Sequence, residues 1–156
     1  MKKPSLYLSG PIGGLNYEQS TDWRFYVANT LTEFECWSPL RGKSYLKKLK
    51  VIDGAPGQIG LGGLSSVLSS EQGILFRDAF DCFNRDGTFV NLLGATRVTI
   101  GTVMEIAWVW QQRKPIIIVR EKSGNLHDHP MINASTPYIV ETLEEGMDIA
   151  RIVLLP

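Results

Sequence analysis

Three features of the sequence predict an α/β protein with a doubly wound, five-stranded parallel sheet in the order 2-1-3-4-5. Short apolar runs alternate with longer stretches of helical periodicity, the pattern of consecutive βαβ units. The run Ile116-Ile117-Ile118-Val119 is apolar at every position, as in a strand buried on both faces. The glycine-rich segment Gly10-Pro11-Ile12-Gly13-Gly14 directly follows the first apolar run, at the sheet edge where such folds bind ligands. The length of 156 residues suits one domain spanning 1–156.

Taken in order, Ser5–Ser9 reads as the first strand. Trp23, Tyr26, Val27, Leu31 and Phe34 recur at helical spacing and predict a helix from Tyr17 to about Phe34. Cys36-Trp37-Ser38 is a short strand stopped by Pro39. Residues 40–69 read as a long variable loop, Gly-rich from Gly54 to Gly63 and able to act as a lid. Its lysines, Lys43, Lys47, Lys48 and Lys50, read as a solvated basic face. Ser69 or Ser70 caps a helix whose apolar set is Ile74, Leu75, Phe76, Ala79, Phe80 and Phe83. Asp78 and Asp81 lie on that helix, and Asp86 ends it.

Thr88–Leu93 is the third strand. Gly101 permits a turn and Thr102 caps the next helix, with Val103, Ile106, Ala107 and Trp110 as its apolar stripe. The fourth strand, 116–119, follows Pro115. Asn125–Met131 is a polar loop, Tyr138–Val140 a fifth strand, and Leu143–Leu155 a closing helix with Leu143, Met147, Ile149, Ala150 and Val153 inward.

Composition narrows the function. Lys plus Arg and Asp plus Glu number 16 each, which lacks the basic footprint of a protein that binds nucleic-acid polymers. No apolar run has the length of a membrane span, and the N-terminus passes straight into a strand rather than a signal peptide. Cys36 and Cys82 lack metal-ligand spacing, which points to a reduced, cytoplasmic protein.

Glu105 carries two readings. Thr102-Val103-Met104-Glu105 matches a capping box, in which the glutamate would serve a backbone N–H. The alternative places its carboxylate at the ligand edge of the sheet, with Asp78 from the neighbouring βα unit and Tyr7 from the first strand. Two carboxylates and a tyrosine suit cleavage of a glycosidic bond, where one group meets the anomeric carbon and another handles protons.

These residues sit in motifs that extend over nearly the whole chain: Leu6-Tyr7-Leu8-Ser9-Gly10-Pro11-Ile12, Arg77-Asp78 with Asp86 before Val90-Asn91-Leu92, Gly101-Thr102-x-x-Glu105-Ile106, and the Lys114-Pro115 entry to a strand. In them the chain resembles the nucleoside 2-deoxyribosyltransferase family, including relatives that hydrolyse nucleoside 5′-monophosphates. The resemblance implies that Glu105 is a nucleophile forming a covalent 2-deoxyribosyl intermediate, that Asp78 assists proton transfer at the base, and that Tyr7 positions the glutamate. It implies a substrate pocket formed by Ser9, Gly10, Pro11, Ile12, Gly13, Asn91, Thr99, Gly101 and Thr102. It calls for no cofactor and no metal. The partners are a deoxynucleoside or deoxynucleotide, and a free nucleobase if the sugar is transferred rather than hydrolysed.

Two details bear on the substrate. Thr99 stands where the transferases resemble one another in carrying an aspartate for the 5′-hydroxyl, whereas the monophosphate hydrolases carry a small hydroxyl residue. A threonine can donate a hydrogen bond to a phosphate that an aspartate would repel. Against this, Pro11 and Gly13 replace a serine and an arginine that the hydrolases use around the phosphate. The segment Ser123–Ile132 also resembles one that reaches into a neighbouring subunit's site, so that His129 and Met131 would complete a shared pocket in a homodimer or larger homo-oligomer. The competing reading is a surface loop whose Met131 packs in the core. A non-catalytic nucleotide-binding sensor shares the architecture and is the rival from another class.

Overall fold

The computed structural model describes residues 2–53 and 64–156. The expected Gly54–Gly63 lid lies outside the described residues. Among the described residues five strands form one sheet: β1 (Ser5–Ser9), β2 (Glu35–Trp37), β3 (Gly87–Asn91), β4 (Ile116–Val119) and β5 (Tyr138–Val140). Every pairing is parallel and the order is β2-β1-β3-β4-β5, as predicted. The helices are α1 (Tyr17–Thr30), α2 (Leu64–Leu68), α3 (Glu71–Asn84), α4 (Ile100–Gln111), α5 (Pro130–Ala134) and α6 (Leu143–Leu154).

Alternation along the strands decides what each face receives. Leu6 and Leu8 of β1 point to the side covered by α1 and α6, where they pack with Val27, Phe89, Ile117, Met147 and Ala150. Tyr7 points to the opposite side, where α3 and α4 bring Cys82, Ile106 and Val109 against Val90, Ile116 and Ile118. Tyr7 and Ser9 therefore share the face on which the carboxylate-bearing helices lie.

Several expectations are revised. Helix α1 ends at Thr30, and Leu31 and Phe34 enter the core from the turn that follows. Strand β3 stops at Asn91, whose side-chain oxygen accepts the Leu93 amide at 3.1 Å and turns the chain. Part of the 40–69 segment is built: a 3₁₀ turn at Ser44–Lys48 packs Leu46 with Leu40, Tyr17 and Ile52, and an isolated bridge joins Leu15 to Ile52. Lys43 is buried beside this cluster rather than displayed on a solvated face.

The apolar set on α3 proves not to be a core stripe. Phe76 is 73% and Phe80 60% exposed, and the buried α3 residues are Asp81 and Cys82. In α4 the buried stripe is Thr102, Glu105, Ile106 and Val109, whereas Ala107 and Trp110 are exposed. Two polar residues on the inward face are what displace the predicted stripe. Among the described residues no helix is long and apolar enough to cross a membrane.

Candidate active site

Helix α4 begins at Ile100, with Thr99 in the cap position and no side-chain cap. Thr102 is consequently inside the helix, and the capping-box reading of Glu105 does not hold. The Glu105 carboxylate instead points inward. Tyr7 Oη donates to Glu105 Oε1 at 2.9 Å, and Ser9 Oγ donates to Oε2 in a short contact. Each carboxylate oxygen accepts one hydrogen bond and keeps a second lone pair.

Burial raises the Glu105 pKa to about 7, with the charge of Asp78 adding to the effect and the two hydroxyl donors opposing it. Burial also holds the Tyr7 phenol well above its ordinary value, so it stays a neutral donor. Both Tyr7 and Ser9 are fully buried beneath the carboxylate. They hold it from below and do not line the open cleft.

That cleft has a volume of about 540 Å³. Gly10, Ile12, Gly13, Thr99, Gly101, Thr102, Asp78 and Glu105 all line it, bringing together three separate parts of the sequence. Pro11, Asn91, His129 and Met131 are not among its lining residues. Asp78 reaches it from α3, and burial raises its pKa. Its Oδ1 is buried with no hydrogen-bond partner among the described residues. A carboxyl at a cleft with a raised pKa and one free oxygen can carry a proton to or from a ligand.

The glycine-rich loop has steric reasons for two of its residues. A Cβ at Gly10 would stand 2.7 Å from the Asn91 carbonyl oxygen, because β1 and β3 end side by side. A Cβ at Gly13 would stand 2.5 Å from Arg97 Nη2, because the Arg97 guanidinium lies over Gly13 and Gly14. Arg97 also lines the cleft.

Arg24 escapes a sequence reading based on apolar spacing. It lies on the buried side of α1, with Nε donating to Leu8 O at 3.0 Å and Nη2 to Gly10 O at 3.0 Å. It thereby pins the strand end and the loop that follows. Burial lowers its pKa to about 10, and it keeps its charge near Glu105. His127, which the sequence reading did not single out, contacts the residue that opens α4. The Thr99 amide donates to His127 Nε2 at 3.0 Å, with Thr99 Oγ1 3.1 Å from the same nitrogen. His129 accepts the Met131 amide on Nδ1 at 3.2 Å and caps α5, while Met131 is 78% exposed rather than packed in the core. Among the described residues no group of three His, Cys, Asp or Glu side chains is placed to hold a metal ion.

No protein-family model and no curated relative matches the chain. Solved structures do match its fold. The 2-deoxyribosyltransferase of Bacillus psychrosaccharolyticus is similar with a TM-score of 0.62 at 15% identity, over 93% of this chain and 89% of that one. A molybdenum cofactor binding protein from Rippkaea orientalis gives 0.60 at 14% identity, over 98% of both chains. The CMP N-glycosidase BcmB of Clostridium botulinum gives 0.54 at 12% identity, over 96% of this chain and 99% of that one. The likeness is one of fold, and that fold serves glycosyl transfer, glycoside hydrolysis and cofactor binding.

Proposed function

We propose that this chain is an enzyme that cleaves the N-glycosidic bond of 2′-deoxynucleosides or their 5′-monophosphates, with Glu105 as the nucleophile. The observation that carries the reading is the Glu105 carboxylate, buried on two hydroxyl donors and lining the same cleft as Asp78. Glu105 attacks C1′ as the bond to the base breaks, and the electron pair leaves with the base nitrogen. Asp78 delivers a proton to the base. The glutamyl–deoxyribosyl ester then passes its sugar to a second nucleobase or to water. A molecule that merely bound a nucleotide would have no need of a buried carboxylate held on a tyrosine, and this favours the enzyme over the sensor. The deoxyribosyltransferase and N-glycosidase among the similar folds support the same choice.

The experiment is incubation with a panel of deoxynucleosides and deoxynucleoside monophosphates, with and without a second base. Free base indicates hydrolysis and exchanged nucleoside indicates transfer; neither product from any substrate would leave the binding-module reading in place.

Within this reading the 5′-monophosphate is the favoured substrate. Ile100, Gly101 and Thr102 present the uncapped first turn of α4 to the cleft, where a helix N-terminus attracts an anion. Arg97 brings a guanidinium over Gly13, so an arginine from a different segment stands where the hydrolases would carry theirs. Thr99→Asp is expected to lower turnover of the monophosphate by at least about tenfold, from ~1.4 kcal/mol of like-charge repulsion. Free nucleoside should be spared. Equal loss on both substrates would remove the phosphate assignment.

We further propose that the active unit is a homodimer or larger homo-oligomer with shared sites. Phe76 and Phe80 on α3, Ile100 on α4 and Met131 in α5 leave extensive apolar surface exposed on the single chain. Mixing Glu105→Ala with a His129→Ala, Met131→Ala double variant should restore part of the activity, because one hybrid site is intact. Subunit exchange without complementation would rule out a shared site.

A further inference from the structure

The 39–43 turn places a cation where the sequence showed only a basic surface run. Gly42 adopts φ 73°, and the Lys43 amide donates to Leu40 O at 3.0 Å, closing the turn. Arg41 fastens it to α3 through a two-pronged contact with the buried Asp81, Nη2 to Oδ1 measuring 2.9 Å. The Arg41 guanidinium also stacks on Trp37, 4.7 Å from the ring centre. The turn is thus anchored to the helix that carries Asp78.

Lys43 lines the cleft from this anchored turn. It is 6% exposed and shares the cleft with Asp78 and Glu105, and its ammonium makes no hydrogen bond or salt bridge among the described residues. Burial lowers its pKa; Asp78 and, more weakly, Glu105 oppose that and favour the ammonium, while Arg77 and Arg41 add to it. Asp78 Oδ1 is unpartnered among the described residues as well. An ammonium held by a largely buried side chain at a cleft wall is poorly solvated, and a ligand group in the cleft can complete its hydrogen bonding.

We infer that Lys43 is a further catalytic residue, donating a hydrogen bond to the departing nucleobase and stabilising the negative charge that the base acquires as the C1′–N bond breaks. The inference rests on the N-glycosidase or transferase reading above. As the bond breaks, the electron pair moves onto the base nitrogen and spreads to the neighbouring carbonyl oxygen or ring nitrogen. The ammonium donates to that acceptor, and Asp78 supplies the proton that neutralises the base. Sugar chemistry stays with Glu105. Lys43 and Asp78, which both line the cleft, together offer the base a donor and a proton carrier, while Arg97 and Thr99 serve the phosphate end in the reading above. A preorganised donor aimed at developing charge acts mainly on the transition state.

The test varies the leaving base. In Lys43→Met, release of thymine or hypoxanthine should slow by about 10²-fold, the usual effect of removing one donor to developing charge. Release of 5-fluorouracil, a more acidic base, should slow less. Release of 7-methylguanine, which departs as a neutral molecule and needs no cation, should change by under about threefold. Lys43→Arg should recover part of the lost rate for thymine or hypoxanthine. Thermal melting of each variant checks the fold. A loss of the same size for every base, including the 7-methylated one, would make Lys43 a structural residue and overturn the inference. So would a loss present with monophosphates and absent with nucleosides, which would assign Lys43 to the phosphate. Wild-type protein that releases no base from any substrate would remove the parent reading; base release by wild type with an unaffected Lys43→Met variant would remove this inference alone.

Discussion

Glu105→Gln is expected to lower base release by on the order of 10⁴-fold or more, the scale seen when a nucleophile is removed, while making the protein more stable at alkaline pH. The two effects have one origin. Folding buries the carboxylate and raises its pKa to about 7, so the folded state holds a proton that the unfolded chain releases near its ordinary value of 4.5. Stability from this group is full below pH 4.5 and is lost as pH rises through 7, where folding must bury a charge. Glutamine never ionises. Denaturation at pH 8 should therefore favour the variant by up to about 3 kcal/mol, less what its amide loses against the Tyr7 and Ser9 hydroxyls, and the difference should fade at pH 4.5. Wild-type activity should fall with acidification near pH 7, as the nucleophile takes up its proton. A Glu105→Gln variant that kept near-normal turnover would remove Glu105 from the chemistry; unchanged stability at both pH values would contradict its burial as a charge.

Asp78→Asn is expected to slow base departure by about 10²–10⁴-fold, with binding of a substrate analogue changed far less. Asparagine keeps the shape and removes the titrating group. Asp78 lines the cleft and has an unpartnered Oδ1, which distinguishes it from Asp81 on the same helix, whose oxygens are both committed to Arg41. Single-turnover base release set against equilibrium binding separates the two roles. Equal loss in both would place Asp78 in binding or structure rather than proton transfer.

The strand order and the helix sequence are legible because βα alternation and apolar runs are local signals. Tyr7 and Ser9 reach the face of Glu105 by the same logic, since odd positions on β1 point toward α4. What local reasoning misses has a common cause. Thr102 and Glu105 are polar residues on an inward face, so apolar spacing draws the stripe of α4 through Ala107 and Trp110 and by itself says nothing of the glutamate's burial. Phe76 and Phe80 on α3 are likewise drawn into the core, although the residues buried there are Cys82 and the Asp81 anchor. Arg24 and Lys43 are charged, and spacing rules assign charge to solvent unless a partner is visible. Their roles depend on carbonyls and carboxylates that lie close only after folding.

The hydrogen bond between Tyr7 and Glu105 joins residues 98 positions apart, and this sets a timetable. Strand β1 can pair early with β2, in a register that links Ser5 to Glu35, but its other edge waits for β3, where Leu6 meets Gly87. Helix α4 is made later still. At a synthesis rate of about 5–20 residues per second, the phenol waits roughly 5–20 s for its glutamate on the ribosome. During much of that interval a strand destined for full burial has one unpaired edge, the condition in which nascent chains associate wrongly. The strand whose Tyr7 and Ser9 hold the Glu105 carboxylate is thus also one that synthesis leaves uncovered for seconds.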